Sequence, residues 1–263
     1  MANGYRNWKF GTKYTPANKL GVTVAFLLPG FKNKLEKDFR SLPKAKSGER
    51  LLDVGSGNGR FLEIAQDLGY ETYGVDPDPK VVESAVSRGL NVRLGGIEEY
   101  EDMLETFDVI TMNHVIEHVH DPYKTLLSIY RLLKPGGFLW LSTPNIMSFG
   151  YKKYKHNWRG LEPPRHLHIF NWDSLINLLK KSGFNPIEKI TNNKNYPNVA
   201  EKSQALSKGI DPYSLTKISL KYRLKGLLIG VRTYFNFHNT EFITLKAYKD
   251  AEVENGNVSF KKI

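Results

Sequence analysis

The sequence predicts an α/β fold, a mostly parallel sheet with helices on both faces. Three observations point there. From Arg50 onward, short apolar runs alternate with stretches whose apolar residues recur at helical spacing. The first run ends in a glycine-rich turn, "DVGSGNGR" (Asp53 to Arg60), and the second ends in an acid, Asp76. Strand–helix–strand units of this kind imply parallel pairing, with ligands at the carboxyl ends of the strands.

The elements follow in order. "RLLDVG" reads as a buried strand and "GRFLEIAQDLG" as a helix closed at Gly69. "YETYGVD" is a second strand, and "DPKVVESAVSRG" a helix with Pro79 in its first turn. "NVRLGG" and "FDVITMNH" supply strands three and four. "DPYKTLLSIYRLLKPGG" is a helix with a Pro-Gly-Gly stop, and "FLWLSTPN" a fifth strand. "NWDSLINLLKKSGF" is a helix closed at Gly183, "NPIEKIT" a sixth strand and "FITLKAYK" (Phe242 to Lys249) a seventh.

Composition narrows the chemistry. The 263 residues contain no cysteine, which excludes disulfides, a thiol nucleophile and cysteine-ligated zinc or iron–sulfur centres. "MANGYRNWKF" has no apolar signal region, and "LGVTVAFLLPG" is too short to span a bilayer, so cytoplasm is the expected location. The net charge of +11 is unevenly spread: residues 51–150 carry 15 acids and 7 bases, the rest 12 acids and 31 bases. Basic flanks of this kind suit an anionic partner or surface, or simply a solvated lysine-rich face.

The glycine loop and Asp76 together suggest a nucleoside site. Gly55, Gly57 and Gly59 let the backbone turn sharply beside a ligand, and the following helix aims its amides at it. Asp76, 21 residues after Gly55, stands where an acid accepts bonds from ribose hydroxyls. The dinucleotide fingerprint G-x-G-x-x-G would need a third glycine where Arg60 stands, so the pyrophosphate reading weakens.

"LLDVGSGNGRFL", "YGVDPDP", "FDVITMNHVIEHVHDP" and "LLKPGGFLWLSTPN", in this order, resemble the motif series of class I S-adenosylmethionine-dependent methyltransferases. The resemblance implies a Rossmann-like methyltransferase fold, a seven-stranded sheet with its last strands antiparallel, and S-adenosyl-L-methionine converted to S-adenosyl-L-homocysteine. It implies a loop of Asp53, Gly55, Ser56, Gly57, Asn58 and Gly59 at the cofactor's amino-acid part. Asp76 and Pro77 would lie at the ribose, and Gly96, Ile97 and Glu98 beside the adenine. Asn113 and His114 would end the fourth strand under the sulfonium.

A hydroxyl acceptor needs its proton removed, and histidine is the usual agent. "HVIEHVHDP" supplies His114, Glu117, His118 and His120. A helical turn there would put His114 and His118 on one face. That spacing also suits a metal pair, but no third ligand stands nearby and no metal is assigned. His118 is the first candidate base, the alternative being a buried structural histidine. "WRGLEPPRHLHIF" (Trp158 to Phe170) crosses the carboxyl-terminal edge of the sheet, where an acceptor must lie. Pro163 and Pro164 are expected to hold it extended, pairing Glu162 with Arg165 and turning His166 and His168 the same way. His166 is then a second candidate base, with Glu117, Trp158, Glu162, Arg165 and His168 at the acceptor. A rigid connector is the alternative. "EPPRHLHIF" also resembles a segment of methyltransferases often associated with bacterial surface-glycan pathways.

The expected layout is an N-terminal extension (1–47) that could close over the cofactor, and a methyltransferase core (48–190). A helical cap insertion (191–240), a last core strand (241–250) and a flexible tail (251–263) complete it. In the insertion, Leu220, Leu224, Leu227, Leu228, Val231 and Phe235 recur at helical spacing among Lys217, Lys221, Arg223, Lys225 and Arg232. Such a stripe can lie on an anionic membrane surface, and more often marks a helix packed on its own domain. "YKKYKHNWR" interleaves lysine with aromatics, but no RNA-binding module accompanies it and nucleic acid is not the expected partner. The expected activity is O-methylation of a sugar or glycan intermediate. Alternatives are a quinone-type or other small-molecule O-methyltransferase, an RNA methyltransferase, and a non-catalytic partner that binds the cofactor.

Overall fold

The computed structural model describes residues 2–27, 39–190, 195–215 and 218–251. Its strands are β1 (Arg50–Val54), β2 (Glu71–Asp76), β3 (Val92–Leu94), β4 (Phe107–Asn113), β5 (Leu133–Pro144), β6 (Ile187–Lys189) and β7 (Phe242–Tyr248). They form a seven-stranded sheet in the order β3-β2-β1-β4-β5-β7-β6. The chain divides into two compact units, Met1–Thr111 with Leu132–Lys134, and Met112–Arg131 with Pro135–Ile263.

In the first unit β1 pairs parallel with β2, and β2 parallel with β3. Leu51 and Leu52 are fully buried and Val54 nearly so, as a strand covered on both faces requires. Helix α3 (Arg60–Asp67) begins after Gly59, which holds the left-handed conformation (φ +79°). A Cβ there would collide with the Leu90 side chain, so the position needs glycine twice over. Helix α4 (Pro79–Val86) is capped by Asp78, whose carboxylate accepts the Lys80 amide at 2.9 Å.

The N-terminal extension forms α1 (Ala2–Phe10) and α2 (Leu20–Leu27). Phe10 stacks on Phe39 at 4.2 Å, and the Tyr14 hydroxyl donates to Asp67 at the end of α3 at 2.5 Å. The second of these contacts ties the extension to the end of α3.

In the second unit β7 runs antiparallel to both β5 and β6, as the motif series implies. Helix α5 (Pro122–Leu132) ends earlier than the Pro-Gly-Gly stop suggests, and β5 takes in those residues. The reason is pairing beyond the register expected for the strand. The Gly136 amide donates to Lys249 and the Lys249 amide to Gly137, at 3.1 and 2.9 Å. Helices α6 (Phe149–Tyr154) and α7 (Trp172–Lys181) flank the connector after β5, and α7 opens on a capping box between Asn171 and Ser174.

The expected insertion folds as α8 (Tyr196–Leu206) and α9 (Leu220–Phe235). Tyr196, Val199, Ala200 and Tyr222 from these helices join Tyr154 and Trp158 in one apolar cluster, with Ile229 packed against it. The leucine stripe of α9 takes no part: Leu220, Leu224, Leu227 and Leu228 are 55–70% exposed. The packing expected of those leucines is made instead by Tyr222 and Ile229. Lys217 and the tail expected to be flexible, from residue 252, lie outside the described residues.

Candidate active site

In the first unit, the turn after β1 is built by main-chain bonds to β2. The amides of Gly55 and Ser56 both donate to the Val75 carbonyl, at 2.8 and 3.0 Å. Asp76, at the end of β2, accepts the Gly57 amide at 2.8 Å and the Asp78 amide at 3.0 Å. A carboxylate has room for further donors beyond these two. Asp53 is buried, paired with Arg40 at 2.5 Å and accepting from Thr111 at 2.7 Å. Burial pushes its carboxyl up, against Arg40 and Thr111, which pull it down. Asp53 Oδ2 and Ser56 Oγ are buried with no hydrogen-bond partner. After β3, Gly96 donates to Glu98 at 3.1 Å and Ile97 is buried at the start of a short 3₁₀ turn.

In the second unit, β4 ends at Asn113 and the chain turns at His114, whose φ of +58° is rare for a residue with a side chain. The expected helical turn is instead a tight turn closed by the His118 amide on Val115 O at 2.8 Å. The left-handed His114 cannot continue a right-handed helix. Its ring stands edge-on to Phe242, with Nδ1 3.2 Å from Glu117 Oε1. Glu117 is fully buried and accepts from Thr143 at 3.0 Å. Its main-chain carbonyl receives the amides of Leu167 and His168, at 2.8 and 3.1 Å, which fastens the connector to this turn.

The connector is not extended. Glu162 has φ +37°, and its carbonyl accepts the amides of Arg165 and His166, closing a turn over the two prolines. The Glu162–Arg165 pair forms at 2.8 Å, and Glu162 also binds Arg159 and the Tyr213 hydroxyl. Burial opposes ionisation of Glu162, but Arg159, Tyr213 and Arg165 outweigh it and hold the carboxyl at about 2. Because the segment turns, His166 and His168 part company. His168 lies near His120 O at 3.4 Å and stays out of the cavity described next.

His118 and His166 meet across that cavity, of about 390 Å³, their ring centroids 4.7 Å apart. Each Nδ1 is 2.8 Å from a main-chain carbonyl, of Arg165 for His118 and of Gly160 for His166. A carbonyl only accepts, so Nδ1 carries the proton and Nε2 carries the lone pair in the neutral ring. Burial lowers the His166 pKa below its usual 6.5, and His118 adds to this against the pull of the Gly160 carbonyl, Glu117 and Glu162. Glu117, His118 and His166 each bring a ligand atom within 4.8 Å of the others, a set that suits a divalent cation. This set takes His166 from the connector and leaves out His114, so it is not the His114–His118 pair that the spacing suggested.

Arg165 and Glu162 also line the cavity. Trp158 does not. It is 1% exposed in the apolar cluster, donating to Glu241 Oε2 at 3.0 Å, so it builds the wall's foundation instead of touching an acceptor. Gly160 must be glycine because a Cβ would overlap the Trp158 ring. Arg159, Lys202, Tyr213 and Phe242 line the cavity without having been singled out. Arg159 was readable from its place beside Glu162; Lys202 and Tyr213 sit in the insertion, where no motif marks them.

A family of methyltransferase domains matches residues 32–189. The chain belongs to that family. This methyltransferase is 29% identical over 195 residues to a ubiquinone biosynthesis O-methyltransferase of Cereibacter sphaeroides, covering 69% of this chain and 78% of that one. A protein of the same description from Xanthomonas oryzae is 35% identical over 120 residues, 43% of this chain and 50% of that protein. Among solved structures, a SAM-dependent methyltransferase from Archaeoglobus fulgidus superposes with a TM-score of 0.56 at 20% identity, covering 84% of this chain and 94% of that one. Phosphoethanolamine N-methyltransferase 2 of Haemonchus contortus, solved with S-adenosyl-L-methionine, gives 0.55 at 21% identity over 83% of this chain. The methyltransferase spans about half of that structure, 52%. At these identities the solved structures share the fold.

The chain is a class I S-adenosylmethionine-dependent methyltransferase. The residues of its first unit fit the cofactor. Asp53 Oδ2 and Ser56 Oγ are orphaned polar atoms at the glycine turn, and Asp76 keeps acceptor capacity at the end of β2.

Proposed function

We propose that the methyltransferase methylates a hydroxyl on a small ring acceptor of the phenol or catechol type, with His118 and His166 as proton acceptors. One observation carries this reading: two histidines face a single cavity, each with its Nδ1 committed to a carbonyl and its Nε2 left to take a proton. An amine acceptor would need no such pair. The O-methyltransferases at 29–35% identity support the same class.

Asp53, Ser56, Gly57 and Asp76 would hold S-adenosylmethionine, with Gly96, Ile97 and Glu98 at its adenine and Asn113 and His114 at the end of β4. When bound, it supplies an electrophilic methyl group on sulfur. The acceptor hydroxyl would give its proton to a histidine Nε2, leaving an oxygen nucleophile able to accept that methyl group, with S-adenosyl-L-homocysteine as the leaving group. A positioned base contributes about 10²–10⁴-fold to such a step. Burial keeps His166 neutral near pH 7, ready to accept. Glu162 holds Arg159 and Arg165 at the rim, where they would orient the acceptor.

A sugar acceptor carrying phosphate is the second reading, favoured by the cations Arg159, Arg165 and Lys202 around the cavity. The test is transfer of labelled methyl to 3,4-dihydroxybenzoate and, separately, to a sugar phosphate. Label in a catechol ether supports the first reading. Label in the sugar alone replaces it with the second, and binding of S-adenosylmethionine with transfer to neither class counts against both.

A further inference from the structure

Helix α9 shows two apolar faces, and only one is used. Tyr222, Gly226, Ile229 and Thr233 lie along one side at helical spacing. Tyr222 and Thr233 are buried, Ile229 packs on the aromatic cluster, and Gly226 lies so close to Pro197 that a Cβ would overlap it. At about 3.6 residues per turn, Leu220, Leu224, Leu227 and Leu228 fall on the opposite side. They are 70%, 55%, 70% and 69% exposed. Between these faces stand cations: Arg223 along one edge, Lys221, Lys225 and Arg232 along the other. No acidic residue occurs between Asp211 and Glu241.

We propose that this outer face of α9 is a docking surface for an anionic lipid bilayer, with the helix lying in the plane of the interface. Four aliphatic side chains would enter the acyl boundary while the flanking lysine and arginine heads reach the lipid phosphates. Charge decides between occupants. A second copy of the chain would bring two acid-free basic helices together, whereas an anionic membrane complements both rows of cations. The binding is peripheral, for among the described residues no helix is long and apolar enough to cross a membrane. The surface is independent of the proposed acceptor, since these leucines do not line the cavity.

The test is cosedimentation of the full chain with vesicles of phosphatidylcholine alone and of phosphatidylcholine with phosphatidylglycerol. The chain should sediment with the anionic vesicles, and salt should weaken the binding. Leu224→Gln with Leu227→Gln, and separately Lys221→Glu with Arg223→Glu, should each reduce it by about tenfold or more. Both pairs are at exposed positions, so thermal midpoint and methyl transfer to a soluble acceptor should not change. Absence of vesicle binding overturns the proposal, as does binding that survives the leucine substitutions. A wild-type dimer that the leucine substitutions dissociate, without effect on vesicles, also overturns it and assigns the face to a second copy.

Discussion

Replacing His166 by asparagine separates the two nitrogens of the ring. The side chain is 6% exposed, and its Nδ1 is 2.8 Å from the Gly160 carbonyl. Asparagine can place an amide donor near that nitrogen and keep the bond, but it has nothing in the position of Nε2. The fold should therefore survive while the proton acceptor is lost. A general base is worth about 10²–10⁴ in rate, or about 3–5 kcal/mol at roughly 1.4 kcal/mol per decade. The loss should fall on kcat, with KM within a few-fold, because Arg159, Arg165 and Tyr213 remain. The wild-type kcat/KM should rise with pH as the ring loses its proton. Because burial lowers the His166 pKa, that limb should lie below the ordinary histidine value of 6.5. Steady-state transfer of labelled methyl to a catechol across pH reads all three quantities. If His166→Asn keeps turnover within threefold and retains the acid limb, His166 is not the base, and the same result for His118→Asn would dismiss the pair.

Arg40→Ala should cost about 3–5 kcal/mol in urea unfolding, since it strands the buried Asp53 carboxylate that Arg40 pairs at 2.5 Å. A loss below 1 kcal/mol would show that Asp53 is protonated or solvated in the folded chain. Gly59→Ala should cost about 1–3 kcal/mol and weaken S-adenosylmethionine binding in calorimetry, because the residue sits at φ +79° and a methyl group meets Leu90. Glu241, raised by burial to about 7, predicts a pH-dependent stability with a definite sign. Its contribution is fully present below the unfolded value of 4.5 and is lost as pH rises through about 7, amounting to about 3 kcal/mol. Glu241→Gln should flatten that part of the thermal-midpoint profile, and an unchanged slope would place the titration elsewhere.

Most of the strands and their order of appearance were readable as short apolar runs, and β1, β2, β3 and β5 close on Gly55, Asp76, Gly95 and Pro144. The glycine turn and Asp76 were readable because main-chain geometry there demands particular residue types. The acceptor side was legible only in part. The Glu162–Arg165 pair and both histidines were expected, but the connector was read as extended, since each proline restricts its predecessor. Glu162 escapes that rule by entering the left-handed region, where two amides converge on its carbonyl. Trp158 was expected at the acceptor because it opens the connector that crosses the sheet's carboxyl-terminal edge. Its partner Glu241 is 83 residues away, and no local pattern announces such a bond. The leucines of α9 show the converse. Helical spacing marks an apolar stripe, yet it cannot say which of two stripes the core will take.

The bonds that align His118 and His166 end on the carbonyls of Arg165 and Gly160, and the connector hangs from the carbonyl of Glu117. None of these atoms belongs to a side chain. On the proposed function, Arg159 and Arg165 can therefore be exchanged for other residues while His118 and His166 stay in register. Selectivity and reactivity would then be separately heritable: a lineage could change what it methylates by rewriting the rim, with the proposed proton acceptors carried over intact.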